Sequence, residues 1–400
     1  MENAISYRYP VMMDFTQLLK AAGIPTTQAE LEVVWKDTVT ATGSLISNND
    51  KMSPFWRVVT ALVTTPVLWL VNFVAVTLIP NSYVKYAAGE WLDLLADAVN
   101  LTRKQPTKAV GFIRFTRVNL GAGINIPLGT VIQTATINGI IYTVATTEDK
   151  SFAVGLSTLD VAVEAVNFGA AYNFGAAYYA IMAAPIAGVT AVANPVDWLT
   201  SPGTDLETDD DLRGRVRNQF GTASDYHTDS VYKAMISTFP GVHIDAIWFE
   251  HNAPRGPGTA NAFVLFDFAA PVSQYLININ QYITDQGNHG HGDDLIVYKM
   301  PEQAKTLTAT VYVEKFLTAA QKTEIHDQAV LFINAAFREN TLYQPTLTLP
   351  YNRFSFSRLG EELHVALPPI HSVVFSLPDI VTAKWIPRLT SLTVTVVDTE

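Results

Sequence analysis

Between Arg57 and Lys85 the chain carries no charged side chain, and the stretch from Val58 to Pro80 is long and apolar enough to span a bilayer. Few folds accept such a segment. Ser53 and Pro54 supply an N-cap followed by proline at N1, so a helix is expected over about 54–79, roughly 40 Å long at 1.5 Å per residue. Pro66 is expected to kink it. A helix apolar nearly all round must be covered on every side, and residues 1–105 offer only two other helical patterns as cover. Some of the cover is therefore expected from another chain, with Trp56, Val67, Leu70, Phe73, Val74, Leu78, Trp91 and Leu95 as the candidate interface residues. Against a membrane span stand Pro66, Asn72, the threonines at 60, 64, 65 and 77, the lack of a Lys/Arg bias between the flanks and the lack of a second span. Residues 1–15 show no basic stretch followed by an apolar core, so no secretory signal is expected.

Charge and cysteine usage narrow the function. Lys and Arg total 26 against 37 Asp and Glu over 400 residues, and the net charge of −11 opposes nucleic-acid binding. With no cysteine, disulfides, thiolate nucleophiles and cysteine-ligated metal sites are excluded. Charged residues make up only 16%, against about 25% in an ordinary soluble protein, which again points to surfaces covered by other subunits.

The pattern along the chain predicts a multidomain α+β protein. A helical N-terminal region occupies 1–105, an antiparallel β domain 106–200, and two α+β domains 201–300 and 301–400. Thr27 and Glu30 form a capping-box pattern ahead of Leu31, Val34, Trp35 and Val39 at helical spacing, predicting a helix to about Ala41. Leu92, Leu95, Ala96 and Val99 mark another. At Ala109 the period changes to alternation, and Asn138-Gly139 suits a type I′ hairpin turn. Thr208 with Asp209, Asp210 and Asp211 predicts a capped helix start. Thr228 begins another helix, followed by strands at 242–249 and 262–268. Pro271 opens a helix with Val272, Leu276, Ile279 and Ile283 at core spacing. Strands at 295–298 and 307–313, helices at 319–337 and 357–365, and strands at 373–377 and 391–397 complete the chain. The stretches 228–268 and 357–397 suggest a diverged duplication.

Motifs for catalysis are missing. His289, His291, Asp293 and Asp294 offer a donor set for a divalent metal and hence a hydrolase reading, but their flanking glycines make a polar turn the better account. Gly121-Ala122-Gly123 lacks the third glycine of a phosphate cradle and lies among strands. No metal, cofactor or catalytic residue is assigned, and the chain is expected not to be an enzyme. Tyr172, Phe174, Tyr178 and Tyr179 could stack on sugar rings, which gives an alternative reading as a glycan-binding tail protein, although strand spacing favours core or subunit-contact roles.

Several segments together resemble the J-like baseplate protein family of contractile-tailed phages, including Mu-type baseplate proteins. They run from Gly123 through Pro127 and Gly129 to Thr130, then Val163-Glu164-Ala165, Gly169 to Asn173, Pro185 to Val189, Val192 and Asn194-Pro195. Gly203 to Arg215 with its acidic helix start follows, and then Phe239-Pro240-Gly241-Val242. The resemblance covers about 85–300; Pro202 stands where the family shows the first glycine of its turn. It implies a structural baseplate wedge subunit in the virion, assembled in the host bacterial cytoplasm. The implied partners are a second copy, other wedge proteins, neighbouring wedges in a six-fold ring and, indirectly, the hub or tube. It further implies that N-terminal helices bundle with partners, that C-terminal domains join wedges, and that a rearrangement of the ring releases the sheath to contract.

Overall fold

A computed structural model describes residues 14–43, 53–121, 123–219, 221–222, 227–266 and 273–399. Ala122, Pro271, Val272 and residues 1–13 of the terminal segment lie outside the described residues. The chain forms two compact units that divide between Thr102 and Arg103.

The first unit is helical: α1 (Phe15–Ala21), α2 (Gln28–Ala41), α3 (Pro54–Phe73), α4 (Ile79–Asn81) and α5 (Glu90–Asp97). The capping box that begins α2 forms as expected: Thr27 accepts from the Glu30 amide, and the Glu30 carboxylate accepts from the Thr27 amide. Ser53 caps α3 by accepting from the Trp56 amide. Helical structure continues through Pro66 and widens into a π-turn at Val74–Leu78, which the 3.6-residue pattern did not foreshadow. Phe15 is buried and contacts the rings of Tyr83 and Tyr86.

The second unit opens with an antiparallel β domain: β1 (Val110–Arg117), β2 (Asn125–Ile126), β3 (Val131–Gln133), β4 (Thr143–Thr146), β5 (Lys150–Ser151), β6 (Thr158–Ala165), β7 (Ile181–Met182), β8 (Val189–Ala193) and β9 (Leu199–Ser201). The main sheet runs β7-β3-β4-β6-β1-β8 with β9 also on β1; its end strands β7 and β8 come together, so the sheet is nearly closed. Alternation drives it: Ile113, Phe115, Val161 and Val163 point inward and are fully buried. The Asn138-Gly139 turn has both φ angles positive, and Ile137 and Ile140 exchange both backbone hydrogen bonds, as a type I′ hairpin requires.

The remainder is α+β. Helices α6 (Asp209–Gln219) and α7 (Asp229–Ile236) precede β10 (Ile247–Glu250) and β11 (Thr259–Val264), followed by α8 (Ser273–Ile283) and β12 (Asp294–Lys299). Thr208 accepts from the Asp211 amide, so the acid run is a capped helix start. The strand expected from Val242 begins at Ile247, because Ile244–Ala246 forms a 3₁₀ turn. Next come β13 (Glu302–Val313), α9 (Ala319–Ala336), β14 (Arg353–Phe354), α10 (Phe356–Ala366), β15 (Ile370–Phe375), β16 (Ile380–Val381) and β17 (Ile386–Asp398). The suggested duplication is not what the chain builds. β10 pairs directly with β11, whereas β15 and β17 lie on opposite sides of β13 in the order β15-β13-β17. Core residues of the β domain run without interruption into those of α7, β11, α8 and β12. A second core joins β13 and β17 to α9 and α10.

Candidate functional site

Helix α3 is packed inside out. The side chains it buries within its own unit are Trp56, Thr60 and Thr64, one turn apart on one side. Gln28 of α2 donates to Thr64 Oγ1 at 2.7 Å, and Thr64 Oγ1 donates to the Thr60 carbonyl at 2.8 Å. A polar seam therefore holds α2 against α3, with the greasy side chains turned away from it. Val58, Leu62, Trp69 and Val76 are 67%, 75%, 68% and 71% exposed. At about 100° per residue, Val58, Leu62 and Trp69 fall within about 40° of one another, opposite the seam. Trp69 also stacks on Phe73, itself open to solvent, with ring centroids 5.9 Å apart.

The eight expected interface residues divide between these settings. Trp56 is buried by its own unit; Val67, Leu70, Phe73, Leu78 and Trp91 are exposed; Val74 and Leu95 are half-buried. Sequence reasoning missed the most open residues, Val58, Leu62, Trp69 and Val76. The signal was present in Thr60 and Thr64, because two threonines at i,i+4 in an apolar helix mark the side that makes interhelical hydrogen bonds. The residues half a turn away are then the uncovered ones.

A second cluster lies within the Arg103–Glu400 unit, where a cleft of about 840 Å³ is lined by Lys104, Glu207, Asp211, Arg215, His243 and Arg338, among others. Charged groups anchor the segment entering β1 to α6. Arg103 pairs with Asp209 at 2.7 Å, Arg215 pairs with the buried Glu207 at 2.7 Å, and the Lys104 amide donates to Glu207 at 2.9 Å. The Lys104 ammonium donates to the carbonyls of Ser237 and Val242. Burial, reinforced by the neighbouring Arg215 charge, pulls its pKa down to about 8. Burial opposes ionisation of Asp211, but hydrogen bonds from His243 and Thr208 outweigh it and hold the carboxyl below its ordinary value. The network fixes a joint between elements.

Three of the four residues considered for metal binding are otherwise engaged. His289 Nδ1 lies 2.9 Å from the Gly290 carbonyl, Asp293 accepts from the Tyr232 hydroxyl, and Asp294 pairs with Arg255. Among the described residues no group of three or more His, Cys, Asp or Glu could hold a metal ion. Tyr179 is fully buried and donates to the Tyr172 carbonyl at 2.9 Å, while Tyr178 stacks on Phe174. That places the aromatic cluster in the domain core, where Tyr179 cannot meet a sugar.

Residues 112–201 match the family described as the baseplate J-like protein barrel domain, which corresponds to the nearly closed sheet. Over 340 residues the chain is 43% identical to the putative baseplate protein gp29 of Haemophilus phage HP1 (strain HP1c1), covering 84% of this chain and 86% of that protein. The chain belongs to the baseplate J-like protein family and is a structural protein of a phage tail baseplate. A cryo-EM structure of the anti-feeding prophage (AFP) baseplate, six-fold symmetrised, aligns over 88% of this chain and 89% of that chain at 11% identity. The TM-score of that alignment is 0.35.

Proposed function

We propose that the chain is a wedge subunit of a contractile-tail baseplate and acts by assembly rather than by catalysis. The observation that carries this reading is the inside-out packing of α3. A stripe of Val58, Leu62, Trp69 and Val76 facing solvent opposite a polar intrachain seam needs an apolar partner surface. Each such side chain buried at an interface contributes about 1.5–3 kcal/mol, so the stripe can hold a bundle together. A lipid occupant fits poorly, because α2, which packs along α3, carries Glu30, Glu32, Lys36 and Asp37.

In this reading the N-terminal helices bundle with a second copy and another wedge protein, with Val67, Leu70, Phe73, Val74, Leu78, Trp91 and Leu95 flanking the stripe and Trp56 bracing it from within. Residues 106–200 form a spacer barrel, 201–300 the joint, and 301–400 the contacts between neighbouring wedges. Six wedges close a ring around the tube, and a change of packing within the ring transmits the signal for sheath contraction. The virion tail is the site of action, reached after assembly in the host cytoplasm.

The test is to coexpress the full chain with the other tail proteins of its phage and map solvent accessibility at Leu62 and Trp69 by oxidative footprinting. Protection on assembly supports the wedge reading. A stable monomer that leaves both side chains equally labelled in the finished particle refutes it.

A further inference from the structure

The C-terminal sheet ends in an unusually open edge. Among the described residues β17 pairs only with β13, in parallel from Thr306↔Ser391 to Val313↔Asp398. The Thr399 amide donates to the Val313 carbonyl. By alternation the odd residues of this stretch turn their backbone groups toward β13, and Leu392, Val394 and Val396 point theirs out of the sheet. Natural edges are blunted by proline, lysine, a bulge or shortness. Here Pro387, Arg388 and the bulge at Thr390 all sit at the beginning of the strand, and 391–397 has none of these devices. The opposite edge strand, β15, is only six residues long.

What fits an open ladder of amides and carbonyls is another extended strand, and the composition of this one selects its own copy. From Leu389 to Val397 there is no charge, so along this edge two molecules of net charge −11 can approach without local repulsion. The charges flanking the run are neutralised within their own chain, Arg388 by Glu302 and Asp398 by Lys322, so neither opposes antiparallel self-pairing. A two-fold axis at Thr393 centres the neutral run, sets Leu392 opposite Val394 of the second copy as a hydrogen-bonded pair, and keeps like faces together. Leu392, Val394 and Val396 then remain on the side packed with α9 and α10, while Ser391, Thr393 and Thr395 stay on the open side beside Thr306, Thr308 and Thr310. We propose that β17 pairs antiparallel with β17 of a second copy, joining two three-stranded sheets into one of six strands. This rests on the reading of the chain as an assembly subunit but uses a surface far along the sequence from α3.

Because the protein has no cysteine, single introduced thiols report the register cleanly. Across the axis the two Thr393 side chains form a non-hydrogen-bonded pair with Cα atoms about 4.5 Å apart, within disulfide reach. The two Thr395 positions are displaced by four residues, about 14 Å at 3.4 Å per residue, beyond it. The full-length variants Thr393→Cys and Thr395→Cys are oxidised gently in a mild detergent that covers α3, so that association through α3 is suppressed. The expected result is a covalent dimer from Thr393→Cys at least about tenfold more abundant than from Thr395→Cys, a difference equivalent to one decade in effective concentration. Amide exchange of the unmodified chain provides the second measurement: Leu392, Val394 and Val396 gain protection as protein concentration rises. Equal linking by both variants, or no Thr393→Cys dimer together with concentration-independent exchange, overturns the pairing. Footprinting of α3 is independent of either result.

Discussion

Asn173 and Gly203 hold each other reciprocally: the Asn173 amide donates to the Gly203 carbonyl at 2.7 Å, and the Gly203 N–H donates to Asn173 Oδ1 at 2.8 Å. The pair ties the loop after β6 to the turn that leads into α6. A side chain at Gly203 would place its Cβ 2.4 Å from the Gly169 carbonyl and 2.9 Å from the Ala109 amide nitrogen. The neighbouring position tolerates Pro202, whereas the second glycine of the turn is fixed by this close approach.

Asn173→Ala leaves a buried amide and carbonyl at Gly203 without their partner, each costing about 1–3 kcal/mol. Gly203→Ala adds a backbone clash and is expected to be at least as damaging. Urea unfolding of the two variants should show lower midpoints with unchanged slope; an Asn173→Ala midpoint equal to that of the parent would contradict the pairing.

Arg117 is buried to 1% exposure, lies over the Phe152 ring, and donates to the carbonyls of Leu156 and Ala153. A planar fork with five donors can serve several carbonyls at once; an ammonium cannot match that geometry. Arg117→Lys is therefore expected to destabilise the barrel by about 1–3 kcal/mol for each carbonyl left unserved. Arg117→Met should cost as much or more. Thermal melts of the purified variants decide it, and a neutral Lys substitution would show that the fork is dispensable.

Burial raises the pKa of Glu339, with Arg388 opposing the rise and Glu302 adding to it. A carboxyl whose folded pKa exceeds its unfolded value contributes stability that is complete below the ordinary value of 4.5 and is lost as pH climbs through the raised one. Glu339→Gln mimics the protonated state, so it should stabilise the second unit near pH 7 and flatten the dependence of melting temperature on pH across that window. A variant less stable than the parent at pH 7 would show that the Arg388 pairing outweighs burial.

The seam and the stripe of α3 should separate by mutation. Replacing Leu62, Trp69 and Val76 together with Gln removes several kcal/mol of apolar burial at an interface, enough to weaken association about a thousandfold or more, while leaving the intrachain hairpin intact. Thr64→Val instead removes the hydrogen bond from Gln28 and should cost the hairpin about 1 kcal/mol without touching the assembly face. Sedimentation with coexpressed tail proteins, beside circular dichroism of the isolated chain, distinguishes the two. Identical behaviour of the two variants would mean that the faces are not functionally distinct.

The sequence by itself determined the local structure. The Thr27–Glu30 box, the Ser53-Pro54 start, the Asn138-Gly139 turn and the Thr208 cap formed as expected. Each depends on bonds between residues no more than a few positions apart, and those energies are set by the residues themselves. The change of period at Ala109 likewise separated helical from β structure. What only the tertiary structure decided was which side of each element is covered and by what. In α3 the contrast is confined to a few threonines, and whether they face a neighbour is not a local property: burial of Thr60 and Thr64 rather than Leu62 and Trp69 depended on a partner helix that supplied Gln28. Arg117 appears in sequence as an ordinary strand residue; its burial required carbonyls contributed by Ala153 and Leu156 from another part of the chain. The order β15-β13-β17 depended on pairings across as many as 85 residues, for which local alternation carries no address. Such contacts are selected by the packing of the whole unit, and the open edge of β17 became visible only after every other strand had found its neighbour.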